Sequence, residues 1–502
     1  MKRQVHFFYQ CCLSLFLLFF YNKGSAQPNF DFNTNCQLAY REIIQLKLSP
    51  GQKILDEEKK THPDNLIPYF LENYIDFFTL FFNEDPVIYK SKEANAEKRL
   101  RLMEKGPESS PYYLFTQSVI HFQWAAVKIK FGNKWDAGWA FRRSFLQGKE
   151  NQEKFPGFLP NAMLNGAMQV TAGTIPEGYR WLSSLLGIRG TIREGMERLE
   201  QFLNRKDPLA LLFHEEAVFY YLYLKFYMEN QREAVFTYLA QHNLDLVNNH
   251  LFAYLAANLG INGQRSAYAK TILLQKTNSP DYLEMPVWDL EMGYAKLNRL
   301  EPDADLFFWR FLDKFRGRFY VKDVLQKLSW FYYLRDDLLR AKECREGVLT
   351  RGSLETEADK QAQKEALEGS WPNKILLKAR LLNDGGYNTE ALNLLLENSG
   401  AIATHPEDKL EFAYRLGRLY DDTGRKEEAI GAYAASIRLG AGSKSYYAAR
   451  AALQTGYIYE KAGDKKKAGY YFQECIDMKD HDYKNSLDQK AKAGLQRCRK
   501  EE

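Results

Sequence analysis

Three stretches of the chain place small residues where a lone amphipathic helix would carry bulk. In LGRLYDDTGRKEEAIGAYAASI (Leu416–Ile437), counting from Gly417 reaches Gly424 at +7, Ala429 at +12 and Tyr433 at +16. The same steps from Gly456 reach Gly463, Ala468 and Phe472, and from Ala379 they reach Gly386, Ala391 and Leu395. Position +3 adds Tyr420, Tyr459 and Leu382. Ala413, Leu416, Gly417 and Tyr420 share one face of a helix. Gly424 then ends that helix, because glycine tolerates the left-handed cap conformation. Ala429, Tyr433 and Ser436 share a face of the next helix. The spacing therefore predicts two antiparallel helices that approach closely at Gly417 and Ala429, with Tyr433 filling the space beside them. Such a hairpin leaves an apolar side uncovered and must stack on its neighbour.

This pattern resembles the tetratricopeptide repeat, a unit of 34 residues with small residues at its eighth and twentieth positions and large ones at its eleventh and twenty-fourth. Gly417, Ala429, Tyr420 and Tyr433 take those places, as do Gly456, Ala468, Tyr459 and Phe472. The closing proline of the family is replaced by the glycines of LGAGSKS, and Ala413 and Ala452 stand where the family favours Trp. The resemblance implies an all-α solenoid of antiparallel hairpins wound as a right-handed superhelix, with a concave groove lined by the first helices. Carrying over the family's groove positions gives Leu376, Arg380 and Asp384 in one repeat, Tyr414, Arg418 and Asp422 in the next, and Leu453, Tyr457 and Lys461 in a third. Arg380 and Arg418 flanked by tyrosine suit an extended peptide, held through guanidinium forks and aromatic faces. The family's carboxylate clamp needs Lys at the fifth position and Asn at the ninth. Here those are Leu376 and Tyr414, and Arg380 and Arg418.

The clear repeats cover 372–502. Fainter echoes over 171–350 read as divergent hairpins: Ser329, Asp336 and Ala341 keep two of the steps, Leu222 with Ala234 and Tyr238 keeps two, and Leu255 with Ala267 keeps one. WLSSLLGIRGTIREGMERLEQFL has the same helix–turn–helix grammar around Gly190. A charged connecting segment, 351–371, holds one polar helix expected to lie across the array. Residues 27–170 read as long aromatic helices, and Glu72 and Asp76 within NLIPYFLENYIDFFTLFFN point to a globular helix rather than a membrane one. Nowhere do β-branched residues alternate with period two for long.

Residues 1–26 read as a secretory signal: Lys2 and Arg3, an apolar run from Cys11 to Tyr21 too short to span a bilayer, then Gly24 and Ala26 for cleavage after Ala26. The expected location is secreted or periplasmic, with no stable membrane span after cleavage. The chain is also similar to secreted bacterial tetratricopeptide proteins with aromatic N-terminal halves. Removing Lys2, Arg3 and Lys23 takes the formal charge from +5 to +2, without the basic footprint of a nucleic-acid binder. Cys36, Cys344, Cys475 and Cys498 are too few and too scattered for a disulfide framework or zinc site. They read as buried thiols, with Cys475 and Cys498 the one candidate pair.

No catalytic constellation emerges. His214-Glu215-Glu216 begins like a zinc-protease helix, but Val218 stands where the second ligand belongs. GDKKKAG lacks the spacer and terminal Gly-Lys-Ser/Thr of a phosphate loop, and no G-x-S-x-G elbow occurs. The expectation is a non-catalytic scaffold for a protein or peptide partner, without cofactor or metal. Alternatives are a glycan-binding or envelope-assembly helper, marked by exposed coplanar aromatics, or an enzyme with its site in the N-terminal helical half.

Overall fold

The computed structural model describes residues 27–173, 191–402 and 405–499; the signal segment 1–26 and the turn expected at Gly190 lie outside them. Every regular element among the described residues is an α-helix, with one parallel bridge between Asn29 and Asn65. The chain divides into two compact units. Among the described residues, the first comprises 27–81, 86–173, 191–231 and Ser279–Leu283; the second comprises Phe82–Asp85, Arg232–Asn278, 284–402 and 405–499. The middle region 171–350 is thus shared between the units, and 351–502 falls in the second.

Helices α1 (Thr34–Ile44), α2 (Leu48–Thr61), α3 (Ile67–Asn83), α4 (Pro86–Lys92), α5 (Asn95–Met103), α6 (Tyr112–Lys130), α7 (Lys134–Lys154), α8 (Pro160–Gly173), α9 (Ile192–Leu203), α10 (Pro208–Leu212) and α11 (His214–Tyr227) come first. The carboxylates of the aromatic α3 are paired: Asp76 is buried and accepts from Arg99 at 2.6 Å and from Lys92, and Glu72 pairs with Lys59. No helix among the described residues is long and apolar enough to cross a membrane. Small polar residues let α6 and α7 meet closely. Ser118 and Ser144, both buried, each donate a hydroxyl to the other's carbonyl at 2.7 Å.

The second unit continues with α12 (Arg232–Gln241), α13 (His250–Asn262), α14 (Ser266–Gln275), α15 (Val287–Asn298), α16 (Ala304–Lys314), α17 (Val321–Tyr333), α18 (Leu338–Thr350) and α19 (Glu357–Glu368). After these come α20 (Lys374–Asp384), α21 (Asn388–Glu397), α22 (Ser399–Ile402), α23 (Pro406–Asp422), α24 (Lys426–Leu439), α25 (Tyr447–Lys461), α26 (Lys465–Asp477) and α27 (Lys484–Arg499). Consecutive helices pair, as α23 does with α24 and α25 with α26, and first helices also touch, as α15 touches α17 and α23 touches α25. A Cβ on Gly417 would sit 2.3 Å from the buried Tyr433 ring, and one on Gly456 2.5 Å from that of Phe472. The missing bulk is therefore the contact itself.

One helix-ending device recurs through both units. Gly424 has φ +77° and donates to the Asp421 carbonyl at 2.9 Å, while Arg425 donates to Tyr420 at 2.8 Å. This is a Schellman cap, which satisfies two of the carbonyls a helix leaves open. The same pair of bonds closes the helices before Gly386, Gly463, Asp336, Leu300, Gly132 and Leu46. Each of these residues has positive φ. Seven residues before each lies a small residue (Ala379, Gly456, Ser329, Gly293, Ala125, Ala39), buried in every case.

The repeat therefore extends beyond the expected stretches. Gly293 faces Phe308 as Gly417 faces Tyr433, with a Cβ–ring approach of 2.6 Å. The Leu255/Ala267 register is displaced by two: the steps run from Ala257 to Gln264 (φ +59°), Ala269 and Leu273, whereas Ala267 is exposed. Leucine and glutamine hold the left-handed position at a cost of about 1–2 kcal/mol, and aspartate holds it more readily, so no glycine marks these turns. Helix α19 is docked rather than loose. Its buried Asp359 accepts from the backbone N–H groups of Tyr320, Lys322 and Asp323 at 2.8, 3.0 and 3.1 Å, at the start of α17 where amides lack helical partners.

Candidate functional site

The residue after each small start residue forms a seam along the first helices of the second unit: Asn258, Tyr294, Trp330, Arg380, Arg418 and Tyr457. Each rung from Asn258 to Arg418 reaches a neighbouring helix. Asn258 donates to Glu291 at 2.7 Å, and the Tyr294 hydroxyl to Asp323 at 2.5 Å. Trp330 lies under two cations, Lys327 at 4.1 Å and Arg380 at 4.7 Å from its ring centroid. Arg418 donates to Asp384 at 3.3 Å, and Arg380 approaches the other Asp384 oxygen at 3.8 Å and Glu365 of α19 at 3.7 Å.

The centre of this seam is a part-buried charged cluster. The side chains of Arg380, Arg418 and Asp384 are 27, 22 and 40% exposed, yet burial is the largest influence on the ionisation of all three. Burial opposes the Arg380 charge, and Glu365, the nearby Tyr446 and Asp384 more than offset it, leaving its pKa above the ordinary value. The same holds for Arg418, through Tyr414, Asp384 and Asp422. Asp384 is drawn below the usual carboxylate range, because Arg418 and Arg380 outweigh its burial. Tyr446 and Tyr447, ring centroids 4.5 Å apart, and the exposed Tyr483, 5.3 Å from Tyr446, stand beside these arginines.

The other expected groove residues divide by position. Leu376, Tyr414 and Leu453 are buried in hydrophobic clusters, so this face of the fifth position forms wall rather than surface. Asp422 accepts from Asn383 at 2.7 Å and Gln264 at 3.0 Å, tying three first-helix ends together. Tyr457 is half-buried, edge-on to Phe472 at 5.4 Å. Lys461 is exposed and near Asp421, whose pKa is raised to about 6 by burial and by Asp422. Trp330, Glu365 and Tyr446 join this cluster around Arg380 without having been expected there. The signal for Trp330 was its place immediately after Ser329, whereas Glu365 arrives only through the docking of α19.

In the first unit Glu216, from the failed zinc-like motif, is buried and accepts from the hydroxyls of Tyr40 (2.5 Å), Tyr220 (2.9 Å) and Tyr74 (3.1 Å). Burial raises its pKa despite these donors. Its two oxygens are fully engaged in joining α1, α3 and α11. Among the described residues no three of His, Cys, Asp and Glu stand close enough to hold a metal ion. Cys36, Cys344, Cys475 and Cys498 are separate buried thiols, Cys475 and Cys498 within one hydrophobic cluster. The chain matches no known family model and none of the characterised proteins it was compared with.

Proposed function

We propose that this chain is a non-catalytic, secreted or periplasmic solenoid of tetratricopeptide type that binds an extended segment of a partner protein along the seam of its second unit. The observation that carries the reading is the part-exposed pair Arg380 and Arg418, supplied by the matching position of successive first helices and bridged by the part-exposed Asp384, with the buried Trp330 ring beneath Arg380. An arginine repeated at helical-hairpin spacing suits a chain lying extended across the hairpins. Guanidinium groups can bind its carbonyls and carboxylates in forks, and the flanking rings can take its apolar side chains. Arg380 and Arg418 are already held by Asp384 and Glu365, so the site is preorganised and a ligand carboxylate would compete with these partners. The location rests on the composition of residues 1–26.

The test compares the wild-type chain with Arg380→Glu/Arg418→Glu in capture from cell-envelope extract, followed by titration of labelled peptides cut from whatever is captured. Loss of the captured partner by the double variant, with its helical circular dichroism intact, is the expected result. A double variant that retains every wild-type partner at unchanged affinity sinks the groove.

A further inference from the structure

Helix α7 carries a second surface, independent of the seam. Trp135 and Trp139 are 67 and 49% exposed, and with Arg142 and the exposed Leu146 they recur at i, i+4, i+7 and i+11, one face of the helix. Single exposed apolar residues are ordinary, but a stripe containing two tryptophans is not. Cations surround it. Lys134 and Arg143 are exposed, Arg142 lies 5.8 Å from the Trp139 ring, and Lys128 and Lys130 end α6 just across the Gly132 turn, beside the exposed Ile129. Asp136 is the one acidic residue between Lys128 and Leu146. The field is felt inside the hairpin: His121 on α6 is pushed down to about 4 by burial and then by Arg143 and Lys128.

The chemistry of the occupant follows from this charge pattern. Two copies joined by a two-fold axis would present this patch to itself, bringing the cations of one copy against the cation-rich patch of the other. An anionic lipid bilayer complements both halves of the patch. Indole rings settle at headgroup depth, and lysine and arginine near the surface add attraction to anionic headgroups. We infer that the end of the α6–α7 hairpin is a peripheral docking surface for an anionic membrane, with Trp135 and Trp139 seated among the headgroups.

The experiment follows tryptophan emission of the full chain on vesicles of brominated phosphatidylglycerol and phosphatidylcholine in equal parts, and on phosphatidylcholine alone. Residues 1–26 contain no tryptophan, so any quenched tryptophan lies in the rest of the chain, and the tryptophan variant decides whether it is Trp135 or Trp139. Emission should fall on the anionic vesicles, recover at high salt, and lose its quenched component in Trp135→Ser/Trp139→Ser. Lys134→Gln/Arg143→Gln should weaken vesicle partition about 25-fold, from about 1 kcal/mol per charge. Absence of quenching on anionic vesicles overturns the inference, as does quenching that persists unchanged in the tryptophan variant. A fall in sedimenting mass on tryptophan substitution would assign the patch to self-association and overturn it as well.

Discussion

Two glycines on one hairpin should answer the same substitution with opposite signs. Gly417 lies in α23, where an added Cβ would stand 2.3 and 2.5 Å from two ring carbons of Tyr433, which has no exposure to retreat into. Gly431 lies in α24, exposed, with nothing within 4 Å of the added Cβ. Alanine is favoured over glycine in a helix interior by about 1 kcal/mol. Gly431→Ala should therefore stabilise by roughly that amount. At Gly417 the same gain is opposed by overpacking, which costs about 1–3 kcal/mol in a closed core. The contact falls on a rigid ring, so the upper part of that range applies and the net is a loss of about 1–2 kcal/mol. The two variants should then differ by about 2–3 kcal/mol although their chemistry is identical. Hydrogen exchange of the α23 and α24 amides reads this locally in the full chain. Adding Tyr433→Leu to Gly417→Ala should make the pair less costly than the sum of the two single changes, because the leucine vacates the space the methyl needs. If Gly417→Ala stabilises the hairpin as Gly431→Ala does, the close-approach argument for the whole repeat fails.

Gly463 tests the cap alone. It has φ +81° and no atom within 4 Å of an added Cβ, so Gly463→Ala should cost about 1–2 kcal/mol from backbone conformation only, read by exchange in α25 and α26. Glu291 is buried beside Asn258 and its pKa is raised to about 7 by burial. The folded state binds this proton more tightly than the unfolded one, so its contribution is present below about 4.5 and is lost as the pH rises towards 7. Glu291→Gln should accordingly melt higher than wild type at pH 8, by an amount on the order of 2–3 kcal/mol, and the advantage should vanish near pH 4. The thiols of Cys36, Cys344 and Cys475 are each pushed up to about 12 by burial. Alkylation at pH 8 should leave all three unmodified in the native chain and modify them in denaturant. Fast native labelling of any of them would contradict its burial.

The sequence by itself determined the hairpin. Gly417, Gly424, Ala429 and Tyr433 each report a local requirement: a close approach, a left-handed cap, a second close approach and a filler. A spacing of residue types records such requirements directly. Arg380, Asp384 and Arg418 were named only through the resemblance to the tetratricopeptide repeat, whose groove positions they take. Tertiary structure decided where the code is written without its usual letters. Leu300, Gln264 and Leu46 hold the left-handed turn although they are residues that rarely adopt it, and no propensity reveals that. It also decided the division of the chain after Gln231, the docking of α19 through Asp359, and hence the arrival of Glu365 at Arg380. Burial made the last distinction, between the buried Tyr414 and the part-exposed Arg418 four residues on. Which face of a helix meets protein and which meets solvent is fixed by its neighbours, and neighbours distant in the chain leave no period in the sequence.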